Sequence, residues 1–243
     1  MLRTIVPNWP AAGRVRAFTT TRIGGASGGP YAGFNLADHV GDDPAQVQAN
    51  RARLHRAAGL PAEPLWLRQV HGADVVDAAD AAPGTTADGS ITEISGTVCA
   101  VLTADCLPVF LCDRRGTTVG VLHAGWRGLA AGLVEVGVAR MDVPGASLLA
   151  WLGPAIGPTA FEVGDDVREA FVRSDADAAR AFVPNARGRW WADLYQLARR
   201  RLARVGVTAV YGGGHCTVTQ ADLFYSCRRD GATGRMASLI WLA

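Results

Sequence analysis

The sequence contains no lysine, so all 24 of its basic residues are arginine. That absence excludes Schiff-base chemistry, the phosphate-binding lysine of nucleotide loops and the kinase lysine. Charge is sparse as well. Charged residues make up 19% of the chain and the net charge is +2, too little to read a nucleic-acid partner from charge. No apolar run approaches the ~18 residues of a membrane helix, so no membrane partner is expected. Positions 1–10 show neither a long apolar run nor a small-residue cleavage site, and no signal peptide is evident. The five cysteines, 99, 106, 112, 216 and 227, are an odd set without a Cys-x-x-Cys spacing. They argue for free thiols in a reducing cytoplasm and against a four-cysteine zinc site, leaving a mixed His/Cys site open.

What is present is a globular composition, 49% hydrophobic over 243 residues, long enough for one sizeable core. No repeat or low-complexity linker divides it, so residues 1–243 are expected to form a single catalytic domain. Residues 14–21 alternate as a strand does and run into a glycine-rich loop. Asp43-Pro44 reads as the N-cap and first residue of a helix ending at Gly59. Residues 65–70 and 74–77 look like short strands. Residues 97–103, 108–113 and 117–123 follow as strands, the last two joined by a turn at Arg114-Arg115-Gly116. Helical spacing covers 128–141, a helical start lies at 165–171, and a helix at 193–205 is closed by Gly206. Further strands are expected at 147–152, 208–211, 223–227 and 236–242. Strands in runs, mixed with about four helices, predict an α+β (mixed α/β) domain of mixed sheets flanked by helices.

The hairpin carries the chemistry. With its turn centred near Arg115, Cys106 stands roughly opposite Ala124 and Leu107 opposite His123, at the open end. Thiol and imidazole then converge across backbones roughly 5 Å apart. His71, in Gln69-Val70-His71-Gly72, also lies at a strand end beside glycine. A His, Cys, His set leaves a fourth tetrahedral position open, as in a catalytic zinc site, where a bound water's pKa falls toward ~7. The same residues also suit a Cys/His nucleophile pair, or plain core and turn positions; residue types alone leave the three readings open. Arg22, before the glycine loop, and Arg229, in the basic turn 228–235, are candidates for holding an anion. Cys216 and Cys227 read as buried small apolar residues, and His39, His55 and His215 carry no assigned chemistry.

The motifs Thr103-Ala104-Asp105-Cys106-Leu107-Pro108 and His123-Ala124-Gly125-Trp126-Arg127-Gly128 are specific. With Gln69-Val70-His71-Gly72, Phe34-Asn35-Leu36, Gly153-Pro154-Ala155-Ile156-Gly157-Pro158 and Arg228-Arg229-Asp230-Gly231, they resemble a bacterial family over nearly the whole chain. That family was long labelled multicopper polyphenol oxidoreductase, or laccase-like. It is now regarded as zinc-dependent purine nucleoside phosphorylase with adenosine deaminase activity, and some members are described as peptidoglycan editing factors. The resemblance implies His71, Cys106 and His123 as metal ligands and a fold shared with a deamidating toxin's catalytic domain. It implies small-molecule substrates, a purine nucleoside and phosphate, and no obligate protein partner. The alternative it suggests is a cysteine-type amide hydrolase removing L-serine from a UDP-linked muramyl precursor, with Cys106 as nucleophile. The laccase label fits poorly: five histidines without a His-x-His pair cannot furnish a blue-copper site and a three-copper cluster. Copper is expected only as an alternative occupant of the His/Cys site.

Overall fold

The computed structural model describes residues 2–243. Its strands are β1 (Thr4–Ile5), β2 (Val15–Thr20), β3 (Val75–Asp77), β4 (Gly89–Thr92), β5 (Cys99–Thr103), β6 (Leu107–Asp113) and β7 (Val119–Ala124). They continue with β8 (Leu148–Leu152), β9 (Glu162–Val163), β10 (Phe182–Pro184), β11 (Trp190–Ala192), β12 (Ala209–Gly212) and β13 (Met236–Leu242). The helices are α1 (Pro44–Ala58), α2 (Trp126–Ala131), α3 (Leu133–Arg140), α4 (Asp165–Val172), α5 (Leu194–Arg204) and α6 (Cys227–Asp230).

A six-stranded sheet in the order β12-β8-β6-β7-β4-β3 is antiparallel at its centre and parallel at both edge pairs. A four-stranded antiparallel sheet, β1-β2-β13-β5, packs against one of its faces. The fold is therefore mixed α/β, as expected. Between the sheets lie Cys99, Val101, Phe110, Val121, Trp151 and Ile240. Alternate residues on the same strands face outward: Val109, Leu111 and Leu122 meet α3 and α5, while Ala100, Leu102 and Leu239 meet Leu54 of α1. Strands covered on both faces read as continuous apolar runs rather than alternating ones, which is why β5 and β6 are so legible.

Helix α1 begins and ends as its sequence specifies. The Asp43 side chain accepts the Ala45 N–H, Pro44 follows, and Gly59 closes the helix with φ 58°. Elsewhere tertiary demands override local pattern. The helix expected at 128–141 is two helices, because Gly132 takes φ 97° between α2 and α3, a left-handed turn that glycine allows at little cost. Residues 65–70 form single bridges instead of a strand. There the Gln69 amide takes both backbone groups of Leu102, at 2.7 and 2.9 Å, in place of a ladder. Residues 223–227 are not a strand either. Phe224 and Tyr225 are apolar because they are buried, and the Ser226 hydroxyl caps α6 by accepting the Arg229 N–H. The small sheet β10-β11-β9 and β4 were not anticipated, being too short to show a period.

Phe110 is fully buried between the sheets, edge-on to Trp151 with ring centroids 5.5 Å apart. Phe110→Ala should cost about 3–5 kcal/mol, read as a lowered denaturant midpoint at unchanged slope; a loss under 1 kcal/mol would contradict this packing.

Candidate functional site

The β6–β7 hairpin places Leu107 opposite Ala124 and Pro108 opposite His123, one residue out of the expected register. Cys106 thus sits just before the ladder, diagonal to His123. Strand β5 delivers the chain to Cys106 through Asp105, which adopts φ 90°. That strained backbone is held by its own side chain: Asp105 accepts the Thr217 hydroxyl on one oxygen and the Arg228 N–H, at 2.7 Å, on the other. Its carbonyl accepts the Ile156 N–H at 2.9 Å. A left-handed non-glycine residue fixed this way marks a functional corner.

His71 approaches from a different loop and also has positive φ, 60°. Its conformation is dictated by Asp88, which precedes β4 and is fully buried. The Asp88 carboxylate accepts backbone N–H groups from Val70, His71 and Gly72 at 3.2, 2.9 and 2.7 Å. His123 Nδ1 lies 2.8 Å from Asp88 Oδ1. Since an ionised carboxylate only accepts, Nδ1 carries the proton and Nε2 is left for the cleft. Burial alone would raise the Asp88 pKa, but the His123 hydrogen bond and the Gly72 N–H outweigh it and hold the carboxyl below its ordinary value.

The rings of His71 and His123 stand edge to face, centroids 4.8 Å apart. One donor atom from each of His71, Cys106 and His123 falls within 4.8 Å of the others. Gly125 permits this closeness, for a Cβ there would lie 2.9 Å from His71 Cδ2 and 3.1 Å from Cys106 Sγ. Burial would push the Cys106 thiol up, yet the charge and hydrogen bond of His123, with His71 adding to both, draw it well below the usual thiol range. Reciprocally, burial would lower the His123 pKa, and the Cys106 charge with the Asp88 hydrogen bond raises it instead. Two imidazole nitrogens and a readily ionised sulfur are a borderline-soft donor set suited to zinc or copper, and the three residues fit such an ion. Among the described residues no second cluster of three such side chains is found.

The three donors open into a cleft of about 630 Å³, a volume ordinary for small-molecule sites. Trp126, Ile156, Phe161 and Leu194 give it apolar wall, and Arg127, Arg228 and Arg235 give it charge. The structure does not bring Arg22 or Arg229 into that wall. Arg22 stacks on Tyr225 at 4.8 Å and donates to the Ala221 and Ala32 carbonyls. Every side-chain nitrogen of Arg229 is spent on the Thr217, Val218 and Phe224 carbonyls and on Asp230. Asp88, His39 and Cys227 were missed from sequence as contributors. His39 and Cys227 line the cleft, whereas Asp88 acts from beneath it; none sits in a pattern with chemical meaning of its own.

The family model described as multi-copper polyphenol oxidoreductase laccase matches residues 16–243. The chain belongs to this family. A Pseudomonas aeruginosa protein named purine nucleoside phosphorylase is 55% identical to it over 98% of both chains. An Escherichia coli protein, named purine nucleoside phosphorylase YfiH, is 53% identical over the full length of both. Among solved structures, a Neisseria meningitidis protein superposes with a TM-score of 0.95 at 52% identity, covering 98% of each chain. YlmD from Geobacillus stearothermophilus gives 0.88 at 34% identity, over 96% of this chain and 93% of that one.

Because Asp88 holds the His71 backbone and the His123 ring, Asp88→Asn should weaken the binding of an added metal ion at this cluster by about 10- to 100-fold. Competition against a chromophoric chelator measures this; undiminished affinity in a folded variant would show that Asp88 does not organise the ligands. In metal-free protein, ultraviolet absorbance should report thiolate forming below the usual thiol range from Cys106 and from Cys216, where hydrogen bonds from Thr219, Gly157 and Val218 outweigh burial and draw it down. Cys106→Ser should remove the Cys106 part of that absorbance.

Proposed function

We propose that the cleft is a purine nucleoside phosphorylase site with adenosine deaminase activity, built on a zinc centre of His71, Cys106 and His123. The observation that carries this reading is the juxtaposition of that donor set with a cleft whose wall is part apolar and part arginine. The names of relatives at 53–55% identity over nearly the whole chain support it. A zinc ion held there would supply Lewis-acid activation next to the bound substrate. The chain's own residues do the rest.

Trp126 and Phe161 offer aromatic surface for a purine ring, and the arginines offer charge-assisted donors for phosphate. In phosphorolysis the C1′–N9 bond breaks with its electron pair going to the purine. A phosphate oxygen bonds to C1′, and the proton of hydrogen phosphate ends on the base. In deamination water replaces the C6 amino group, giving inosine and ammonia. His123 donates its Nδ1 proton to Asp88 throughout, which holds the ring in one tautomer with Nε2 as the nitrogen that would ligate the metal.

A second reading is favoured by one observation. Cys106, His123 and Asp88 form the chain of thiol, imidazole and carboxylate that activates a cysteine nucleophile. This is the amide hydrolase acting on a muramyl precursor. Zinc on the thiolate would blunt such a nucleophile, so the two readings demand different metal contents. The laccase description is not supported as an activity, because a multicopper oxidase needs a second metal cluster and the described residues offer only the single His71/Cys106/His123 group. Copper fits as an alternative ion at this centre.

Adenosine should give adenine only when phosphate is present, and inosine with or without it, as followed by chromatography with zinc-replete protein. Both products should be lost in Cys106→Ala. Equal turnover in both proteins would mean that the chemistry lies elsewhere; no turnover in either would favour the amide hydrolase.

A further inference from the structure

The cleft wall is unbalanced in charge. Three arginines line it, and the one acidic residue among its lining, Asp105, has both carboxylate oxygens engaged by Thr217 and by the Arg228 backbone. The guanidinium groups are not neutralised at close range: among the described residues none of Arg127, Arg228 and Arg235 has a salt-bridge partner within 4.0 Å.

The three differ in how firmly they are placed. Arg127, exposed as Arg228 also is, rests on Trp126, 4.5 Å from the ring centroid. Arg235 donates from one terminal nitrogen to the Thr233 and Gly234 carbonyls. Arg228 is fixed at both ends. Its backbone N–H is held by Asp105, the residue next to Cys106, and Nη1 donates to the Glu162 carbonyl at 2.8 Å while the guanidinium lies over Phe161 at 5.4 Å. Nε and Nη2 make no hydrogen bond among the described residues, and those two nitrogens form one edge of the planar fork that matches a phosphate oxygen pair. A pre-placed fork loses less side-chain entropy on binding than a free one. Thr103, in the same wall, also has a buried hydroxyl without a partner.

We propose that Arg228 anchors an oxyanion subsite for inorganic phosphate, flanked by Arg127 and Arg235, beside the His71/Cys106/His123 centre. The proposal rests on the phosphorolysis reading for its reaction, though the binding site stands on the arginine geometry itself. It replaces Arg22 and Arg229, which lie outside the cleft wall, as the phosphate-holding residues.

Titration calorimetry with inorganic phosphate on the zinc-loaded protein tests the site directly, with KM for phosphate and for adenosine as the kinetic arm. Arg228→Gln should weaken phosphate binding and raise its KM at least about tenfold, the size of one charge-assisted hydrogen bond. KM for adenosine should hold within about twofold, with zinc content and circular dichroism unchanged. Arg228→Lys should recover part of the affinity as a point charge, and Arg22→Gln should bind phosphate as the parent does. Phosphate binding unaltered by Arg228→Gln, or lost in Arg22→Gln instead, overturns the proposal. So does a parent protein that binds no phosphate. Calorimetric binding lost in Arg228→Gln, in a parent that turns over no nucleoside, would uphold the subsite and defeat the phosphorylase reading alone.

Discussion

One buried carboxylate organises the site: Asp88 accepts three consecutive backbone N–H groups of the His71 loop and the Nδ1–H of His123. A fully buried charge is costly unless its lone pairs are met, and here four donors from two separate segments meet them. The same bonds force His71 into a left-handed backbone conformation and fix the tautomer of His123. The backbone that carries His71 and the imidazole of His123 are thereby committed before any ligand arrives. Asp105 plays a parallel part on the other side, where it holds the strained approach to Cys106 and ties it to Arg228 and Thr217. Two aspartates that never need to touch a ligand thus set the positions of the groups that do.

The hairpin was legible in the sequence because β6 and β7 are buried on both faces and separated by an unmistakable turn, so pairing Cys106 with His123 required only counting. The count erred by one residue, since the ladder pairs Pro108 with His123. That shift left the convergence intact, because Cys106 lies at the open end, where neighbouring diagonal positions are still close. The helix α1 was legible through its caps. Asp88 was not, for a lone aspartate between Ala87 and Gly89 carries no period or spacing, and its meaning lies in a loop sixteen residues away and a strand thirty-five away. The arginines misled for the opposite reason. Arg22 and Arg229 stand in glycine-rich or basic segments that look like anion sites, yet Arg22 lies on Tyr225 and donates to the Ala221 and Ala32 carbonyls, and carbonyls and Asp230 take every side-chain nitrogen of Arg229. Arg127, inside the His-Ala-Gly-Trp-Arg-Gly motif, faces the cleft.

The family's description and the names of similar proteins point in different directions, toward copper oxidation in one case and purine phosphorolysis in the other. The donor inventory speaks against the first. One three-residue cluster is enough for a single borderline-soft ion with an open position, and too little for a multicopper relay. An apolar, arginine-bearing cleft around that cluster suits a nucleoside and an anion, whereas nothing in its wall suggests a path for electrons between metals. The cysteine-nucleophile reading shares the residues but requires the thiolate to be free of metal. What occupies the space between His71, Cys106 and His123 therefore separates the two readings.

Anomalous X-ray scattering across the zinc and copper edges, on crystals of protein purified without added metal, tests that most directly. The account predicts one zinc peak per chain, bonded by His71, Cys106 and His123. A metal-free cluster with Cys106 carrying a covalent adduct, or a peak that excludes Cys106, would contradict it.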